Sequence, residues 1–413
     1  MRNMKRIKNK TYIIFEVAST HENDWETAKS YVDQAAEAGA DALKFQLFTA
    51  DKLLIPLTKA AEETYKYFKK SETPREWFPK LKKLCDEHEI DLLCTPFDTD
   101  SASFLNEVGL PAVKIASGDL THFQLLAHVA QFGKPIILST GMAMMDEIRQ
   151  AVDVLHKNGA RDIKILQCVS VYPTSFDDAN VSAMLTLQKE FNVSVGYSDN
   201  GSKGLLVPLL AVALGAEVIE KHVTSKKERG SIDDVFSMDV KEFCDMVKRI
   251  RAMEKRLPQE QETILKELEI EYGKDFKKAY GDGIKRPAIH GTKKTHPGIE
   301  GEFTQRESDE RHWARRGVYL SRDIKKGEII SKDMLIILRP DVGISGVDYE
   351  NIIGKIAGED LRAKIPLKIN LPPPKADGGN KIFQFRRADI ATTYTDPNDA
   401  QFTKMLTQYA LFE

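Results

Sequence analysis

The chain has 413 residues, of which 42% are hydrophobic and 30% are charged, a balance typical of a globular protein with a full core. Its 60 basic and 62 acidic residues leave a net charge of -2, which excludes a protein-wide field that would hold a nucleic acid backbone or an anionic membrane. The length predicts two or three domains, or one large barrel with an appendage.

The N-terminal segment and the cysteines indicate a reducing compartment. The apolar run that begins at Tyr12 spans about five residues, which is shorter than the hydrophobic region of a signal peptide. No run approaches the roughly 18 apolar residues of a membrane span. The four cysteines are widely spaced and form no Cys-x-x-Cys pair, which argues against a disulfide framework and a zinc cluster. We therefore expect a cytoplasmic enzyme with no nucleic acid or membrane partner.

One unit repeats from Tyr12 to about Lys255: a short β-branched apolar run, a polar turn and an amphipathic segment. Helical spacing is clear at 24–38, which ends at Gly39, and at 145–157. The apolar runs, which predict eight strands, are 12–17, 42–47, 91–94, 112–116, 135–138, 163–168, 194–197 and 217–221.

Continuous apolar strands that alternate with helices predict a parallel sheet covered on both faces. Eight units in about 245 residues match the size of a (β/α)8 TIM barrel. An open, doubly wound sheet is the alternative, but no GxGxxG motif follows the first strand. The predicted fold is therefore α/β, with a (β/α)8 TIM barrel.

The composition changes after residue 257. We assign residues 1–257 to the barrel and 258–315, which holds a charged helical stretch, to a linker. Short apolar runs broken by turn residues predict a small, mostly β module at 316–370. The segment 371–413 has a proline run near its start and is assigned as a tail.

Polar side chains are dense at the ends of the predicted strands, which is where TIM barrels carry their active sites. Because strand side chains alternate, Lys44 shares a face with Gln46, and Glu220 shares a face with His222. One such residue is as often an ordinary ion pair, but a whole set at buried strand ends needs a reason. The set is Glu16, Lys44, Gln46, Thr95, Lys114, Ser117, Asp119, Ser139, Ser170, Tyr172, Ser198, Asn200, Glu220 and His222.

Two lysines and several hydroxyls suit a small phosphorylated carboxylate, which needs point charges and hydroxyl donors. The carboxylates and His222 suit a divalent metal or general acid–base chemistry. The residues alone therefore indicate a barrel enzyme that acts on a compact anionic phosphate, and they leave the substrate open.

Several of these stretches resemble the sialic acid synthase family, which includes the pseudaminic and legionaminic acid synthases. They read FEVASTHEND, ADALKFQLF, LLCTPFD, VKIASGDLTHFQLL, PIILSTGM, QCVSVYPTS, VGYSDN and GAEVIEKHVT. The later stretches ARRGVYLSRDIKKGEII and LRPDVGIS resemble the C-terminal antifreeze-like (SAF) domain of that family. The resemblance covers residues from about 12 to about 369.

This resemblance implies condensation of phosphoenolpyruvate with an N-acetylated amino-sugar aldehyde, giving a nine-carbon 2-keto-3-deoxy acid and phosphate. It implies a divalent cofactor, Mn²⁺ or Mg²⁺, and a domain-swapped homodimer in which Arg339 enters the partner's site. Glu16 and Asp119 take the places of the carboxylates near the reacting atoms, and His222 takes that of a catalytic metal ligand. The substrate-binding residues expected are Lys44, Gln46, Thr95, Lys114, Ser117, Ser170, Tyr172, Ser198, Asp233 and Arg339.

One departure from the family pattern concerns the metal. The family's Ser-Asp-His after the seventh strand reads Ser198-Asp199-Asn200 here, so the expected ligands are His222 and Asn200. An amide oxygen in place of an imidazole weakens transition-metal binding and favours Mg²⁺ or Mn²⁺. The alternative hypothesis is a catalytically weakened or substrate-shifted homologue that serves as a ligand-binding or assembly protein.

Overall fold

A barrel of parallel strands forms the larger part of the chain. The computed structural model describes residues 10–57, 59–225, 231–288, 293–296, 299–304, 307–370 and 384–387. The eight barrel strands in these residues are β1 Tyr12–Glu16, β2 Ala42–Leu47, β3 Asp91–Pro96, β4 Val113–Ile115, β5 Ile136–Ser139, β6 Ile163–Cys168, β7 Ser194–Asp199 and β8 Val218–Thr224. The hydrogen-bonded order is β3-β2-β1-β8-β7-β6-β5-β4, and β3 lies beside β4, which nearly closes the ring.

Helices connect the strands and cover the outside of the ring. The first begins after Asp24, whose side chain accepts the N–H of Thr27, and the chain turns beyond it at Gly39, whose φ is 79°. It buries Ala28, Val32 and further apolar residues against the strands. The helices are α1 Trp25–Glu37, α2 Ala50–Leu53, α3 Lys59–Lys70, α4 Trp77–Glu87, α5 Thr99–Val108, α6 Phe123–Ala130, α7 Met145–Lys157, α8 Phe176–Ala179, α9 Ala183–Phe191, α10 Leu206–Ala213 and α11 Val240–Glu254.

The structure confirms the predicted barrel and each of its predicted strands. The largest difference in bounds is at β8, which continues three residues beyond its predicted end at 221. It does so because a short strand, β9 Met238–Asp239, pairs with Val223 and Thr224. No helix among the described residues is long and apolar enough to cross a membrane.

Two layers of side chains fill the barrel from the same strands. The lower layer is apolar and buried, and consists of Ile14, Ala42, Leu93, Ala112, Ile137, Leu166 and Val218. Two positions further along each strand, the inward-facing residues become charged or polar. This upper layer is also buried and consists of Glu16, Lys44, Thr95, Lys114, Ser139, Cys168, Ser198 and Glu220.

The segment 258–315, predicted to be a linker, contains regular elements. Residues Ile264, Leu268, Phe276 and Ala279 pack into the outer core of the barrel, so its first part extends the barrel's helical layer. Its elements are α12 Gln261–Tyr272, α13 Lys274–Tyr280, a hairpin of β10 Lys293–His296 and β11 Ile299–Thr304, and α14 Glu307–Ala314.

The C-terminal module is small and mostly β, as predicted, with its own apolar core. It sits on the carboxyl ends of the barrel strands: Arg339 donates its N–H to Leu53 O at 2.9 Å, and Ile55 donates to Arg339 O at 2.9 Å. Its elements are β12 Gly317–Leu320, β13 Leu335–Leu338, β14 Ile344–Ser345, α15 Tyr349–Ile352, β15 Leu367–Asn370 and β16 Gln384–Arg387. The predicted tail, 371–413, lies outside the described residues apart from β16.

Candidate active site

A cavity of about 800 Å³, counting the part open to solvent, lies over the upper layer at the carboxyl ends of the barrel strands. Apolar side chains of Phe48, Phe68 and Phe97 line its rim. The structure brings every predicted site residue to this cavity except Asp119. Those that line it are Glu16, Lys44, Gln46, Thr95, Lys114, Ser117, Ser170, Tyr172, Ser198, Asn200, His222, Asp233 and Arg339.

Four buried charges form the floor of the cavity. Lys44 Nζ lies 2.6 Å from Glu16 Oε2 and 3.8 Å from Glu220 Oε2. Lys114 Nζ lies 3.8 Å from Glu220 Oε1. Each of these residues is at most 5% exposed, and burying such charges costs several kcal/mol unless they are paired. Even paired, buried ions seldom stabilise a fold more than apolar side chains do, so this group favours a functional role over a stabilising one.

Burial shifts the protonation of this group. It raises the pKa of Glu16 from 4.5 to about 7, although the charge of Lys44 acts in the opposite direction. Burial lowers the pKa of Lys114, and the charge of Glu220 only partly offsets that effect. Burial also acts to lower the pKa of Lys44, but the negative charges of Glu16 and Glu220 outweigh this effect and raise the Lys44 pKa.

Hydroxyl groups surround the two lysines. Lys44 Nζ donates to Thr95 Oγ1 at 3.2 Å, and Lys114 Nζ donates to Ser139 Oγ at 2.6 Å. Ser198 Oγ donates to Glu220 Oε1 at 3.0 Å. These strand ends thus offer an anion both positive charge and hydroxyl donors within one small volume.

The residues that follow β4, β5 and β6 are packed closely against one another. Gly141 donates its N–H to Ser117 Oγ at 3.0 Å. A Cβ at Gly141 would lie 2.2 Å from Ser170 Oγ and 2.8 Å from Ser117 Oγ, so any side chain at this position would displace both hydroxyls. Its missing side chain lets both hydroxyls line the cavity.

Another part of the cavity wall combines a carboxylate with aromatic rings. Asp233 Oδ2 accepts the Ser19 N–H at 2.8 Å and also the Ser19 hydroxyl. The ring of Tyr172 lies 6.0 Å from that of His222 and 4.8 Å from that of Phe236. This wall can take a neutral polyhydroxylated ligand, because sugars bind to carboxylates and aromatic faces together.

His222 and Asn200, the predicted metal ligands, both line the cavity, and each could offer one uncharged donor atom. Burial, with the charge of Lys44, lowers the pKa of His222 to about 3, so its ring is neutral, and its Nδ1 has no hydrogen-bond partner among the described residues. Asn200 Nδ2 donates to Val169 O at 2.8 Å, which orients the amide and leaves its oxygen as the acceptor. In the part of the chain that the structure describes, no group of three or more His, Cys, Asp or Glu side chains could hold a metal ion, so His222 and Asn200 would bind one only if water or substrate completed its ligands. The divalent metal stays a prediction.

Asp119 lies outside the cavity lining and is fully buried in a 3₁₀ turn, Ser117–Asp119. It forms an ion pair with Arg316, and Arg339 Nη2 lies 4.0 Å from its Oδ2. These arginines, aided by His122, hold the pKa of Asp119 far below its usual range although burial opposes this. The structure therefore shows Asp119 at the junction of barrel and module, and its expected role near the reacting atoms stays a prediction.

Arg339 lines the cavity of its own barrel in this single chain, whereas the sequence led us to expect it in the partner's site. It reaches the cavity through the pairing of its backbone with Leu53 and Ile55, and its guanidinium lies 5.5 Å from the ring centre of Phe97. The domain-swapped dimer, with Arg339 in the partner's site, stays a prediction.

Sequence reasoning missed several residues at the site. Ser139 and Glu220 belong to the predicted set at the strand ends but not to the expected binding residues, and both line the cavity. Arg316 and Glu310 lie near the site because the second domain and α14 fold over the barrel, and this contact has no signal in the local pattern. The phenylalanine rim could have been found from Phe48 and Phe97, which directly follow β2 and β3.

Comparisons with known protein families match two parts of the chain. Residues 31–262 match the NeuB family, and residues 315–369 match the SAF domain. The N,N'-diacetyllegionaminic acid synthase of Campylobacter jejuni is 35% identical over 365 residues, which cover 86% of this chain and 97% of that protein.

Two solved structures are similar to this one. The spore coat polysaccharide biosynthesis protein SpsE of Bacillus subtilis has a TM-score of 0.68 and 30% identity, covering 86% of this chain and 92% of that one. The N-acetylneuraminic acid (sialic acid) synthetase of Leptospira borgpetersenii, in complex with citrate, has a TM-score of 0.57 and 35% identity, covering 64% and 94%.

Proposed function

The chain belongs to the NeuB family, and from this membership and the cavity we propose that it is a cytoplasmic synthase that condenses phosphoenolpyruvate with an N-acetylated amino-sugar aldehyde. The product is a nine-carbon 2-keto-3-deoxy sugar acid of the sialic, legionaminic or pseudaminic type. The names of its relatives, among them synthases of legionaminic, pseudaminic and N-acetylneuraminic-type acids, support the substrate class.

The observation that carries the proposal is the buried pair of lysines with their hydroxyl partners. Phosphoenolpyruvate has two anionic ends on a three-carbon frame. Lys44 with Thr95, and Lys114 with Ser139, provide two cationic groups with hydroxyl neighbours in the same cavity. The lysines share Glu16 and Glu220 as partners, but because burial raises the pKa of Glu16 to about 7 this carboxyl is partly protonated at neutral pH. The excess positive charge that remains favours an anionic ligand.

The reaction balances with water as the third reactant. C3 of phosphoenolpyruvate bonds to the aldehyde carbon, whose oxygen takes a proton and becomes a hydroxyl. Water adds at C2 and loses its proton, and the C2–O bond breaks to release phosphate and leave a ketone. Glu16, which lies within 2.6 Å of Lys44 in the cavity, is our candidate for holding a proton close to these atoms.

The part of the wall formed by Asp233 and Tyr172 would hold the sugar. Asp233, positioned by Ser19, can accept hydrogen bonds from sugar hydroxyls, and Tyr172 supplies a ring face. Arg339 can donate to the carbonyl oxygen of the N-acyl group. A divalent ion held by His222 and Asn200 would polarise the aldehyde carbonyl when bound.

A phosphate-release assay tests the proposal. The protein is incubated with phosphoenolpyruvate, a panel of N-acetylated hexosamine-type aldehydes, and Mn²⁺ or Mg²⁺. Phosphate is expected only when all three components are present, together with a keto acid product seen by mass spectrometry. Release that never exceeds background with any aldehyde and either metal would contradict the proposed activity.

A second test addresses the proposed domain-swapped homodimer. Arg339→Ala removes a site residue of the C-terminal module, and Lys114→Met removes a site residue of the barrel. If Arg339 acts in the partner's site, coexpressing the two variants restores about a quarter of the wild-type activity, because half of the dimers are mixed and each has one intact site. If Arg339 acts in its own chain, as in the single-chain structure, coexpression restores none.

A further inference from the structure

A buried carboxylate from outside the barrel holds two of the loops that border the cavity. Glu307, the first residue of α14, is 0% exposed. Its Oε1 accepts the backbone N–H of Ser170 at 2.7 Å and that of Met142, and its Oε2 accepts the N–H of Ala288 at 2.6 Å. The three donors belong to three separate segments, so one side chain joins parts of the chain far apart in sequence.

Two of these donors, Ser170 and Met142, lie in loops that border the cavity next to the hydroxyls of Ser117 and Ser170. Ser170 follows β6, and its own hydroxyl lines the cavity. Met142 follows Gly141, the residue that leaves space for the hydroxyls of Ser117 and Ser170. The hydroxyls of Ser170 and Ser117 lie 2.2 Å and 2.8 Å from where a Cβ of Gly141 would be, so a displacement of either loop changes how these two hydroxyls are placed.

The backbone at Met142 needs a partner to keep its conformation. Met142 has a φ of 59°, in the left-handed region that non-glycine residues rarely adopt and that costs of order 1 kcal/mol. Its N–H points to Glu307. Because hydrogen bonds between an N–H and a carboxylate are about twice as strong as neutral ones, Glu307 can hold this strained loop in place.

Glu147 is a second carboxylate near α14, and its contacts can be compared with those of Glu307. Glu147 also contacts α14, where it accepts from Arg311 Nη1 at 2.6 Å and Nη2 at 2.9 Å. Its backbone contact is with Met144 at 2.8 Å, at the start of α7 and outside the cavity lining. Glu147 therefore fixes α14 to the barrel. Its partner Arg311 also donates to Met142 O, so Glu147→Gln disturbs one loop only indirectly and keeps every hydrogen bond of Glu307, which makes it a stringent control.

We propose that Glu307 is a positioning residue, which fixes the loops after β5 and β6 and so holds Ser117, Gly141 and Ser170 in the geometry that binds the phosphate of the substrate. This inference rests on the proposed function in naming the anion. It assigns to α14, in the segment predicted as a linker, a part in binding although Glu307 itself does not line the cavity.

The test compares Glu307→Gln with the control Glu147→Gln and the charge-preserving Glu307→Asp. Glutamine has the same shape but no charge, and its NH2 group would face one of the backbone donors. Phosphoenolpyruvate affinity, measured by calorimetry, is expected to fall about 10- to 100-fold in Glu307→Gln, the size expected for losing hydrogen bonds to a charged group. It is expected to stay within about threefold in Glu147→Gln.

Two further readouts separate positioning from a general loss of stability. Amide exchange at 141–142 and 169–171, followed by mass spectrometry, is expected to speed up in Glu307→Gln and not in Glu147→Gln. The KM for the aldehyde is expected to change less than the phosphoenolpyruvate affinity, because Asp233 is held by Ser19, outside both loops, although Tyr172 belongs to the Ser170 loop. If Glu307→Gln does not fold, Glu307→Asp, which keeps the charge but has a shorter reach, is expected to show the same pattern more weakly.

Wild-type exchange and affinity in Glu307→Gln, or an equal loss in Glu147→Gln, would overturn the inference. The proposed function fails separately, if the wild-type protein itself does not bind phosphoenolpyruvate. In that case the exchange at 141–142 and 169–171 still decides whether Glu307 fixes the two loops.

Discussion

The lower and upper layers of the barrel interior come from the same strands and are equally buried, yet they differ in chemistry. Ile14 is followed two positions later by Glu16, and Val218 by Glu220. Each fully buried aliphatic side chain of the lower layer stabilises the fold by about 1.5–3 kcal/mol. The charges of the upper layer cost free energy in the same position. Burial set by the fold is thus used for stability at one end of the barrel and for binding at the other.

The largest expected effect comes from removing a charge of the upper layer. Lys114→Met should lower kcat/KM for phosphoenolpyruvate about 100- to 1,000-fold, because truncating one partner of a buried charge pair costs about 3–4 kcal/mol. The matched control is Lys164→Met, since Lys164 lies at the amino end of β6, pairs with Asp162 and does not line the cavity. A loss below tenfold in Lys114→Met would show that the upper layer is not the binding layer.

A cavity in the lower layer should have the reverse effect. Leu166→Ala removes a fully buried side chain and should lower the free energy of unfolding by about 2–5 kcal/mol. Urea denaturation measures this loss. Activity per folded molecule should stay within about threefold, because Leu166 does not line the cavity. A large loss of activity in fully folded Leu166→Ala would contradict the claim that the lower layer serves stability and the upper layer serves binding.

Glu16→Gln should show that the upper layer opposes stability in a pH-dependent way. A carboxyl whose pKa is raised to about 7 favours folding most below its unfolded value of 4.5, and this contribution is lost as the pH rises through 7. Glutamine does not ionise. The variant should therefore match the wild type at pH 4 and exceed it at pH 8, by up to about 3 kcal/mol.

Urea denaturation at a series of pH values measures this difference, and activity should be low in Glu16→Gln at every pH. A stability difference that does not change between pH 4 and pH 8 would mean that Glu16 keeps an ordinary pKa.

The smallest expected effect concerns the metal. Asn200→His restores the imidazole of the family pattern and should tighten Mn²⁺ binding about tenfold, with less change for Mg²⁺, because nitrogen ligands favour transition metals. The metal dependence of phosphate release measures this. If neither the wild type nor Asn200→His releases phosphate, the alternative of a ligand-binding homologue gains support.

The sequence was sufficient to predict the barrel and most of its cavity. Both depend on local patterns: apolar runs of strand length, and alternation that put Lys44 with Gln46 and Glu220 with His222. Since the carboxyl ends of parallel strands meet at one end of a barrel, residues far apart in sequence could be expected to meet there. The structure brings them to one cavity.

Contacts from beyond the barrel could not be predicted in this way. Arg316 reaches Asp119 across 197 residues, and this depends on how two domains pack. Glu307 binds backbone N–H groups, which every residue except proline has, so neither Met142 nor Ser170 signals its partner by its side chain. The charged segment around Glu307 has no apolar period that would have marked it as part of the site.

Calorimetric titration with phosphoenolpyruvate of the wild type, Leu166→Ala and Lys114→Met tests the central claim most directly. We expect one phosphoenolpyruvate per chain in the wild type and in Leu166→Ala, below the temperature at which the latter unfolds, and no measurable binding in Lys114→Met. Binding to Lys114→Met with wild-type affinity, or no binding to the wild type, would contradict the assignment of the upper layer to an anionic substrate.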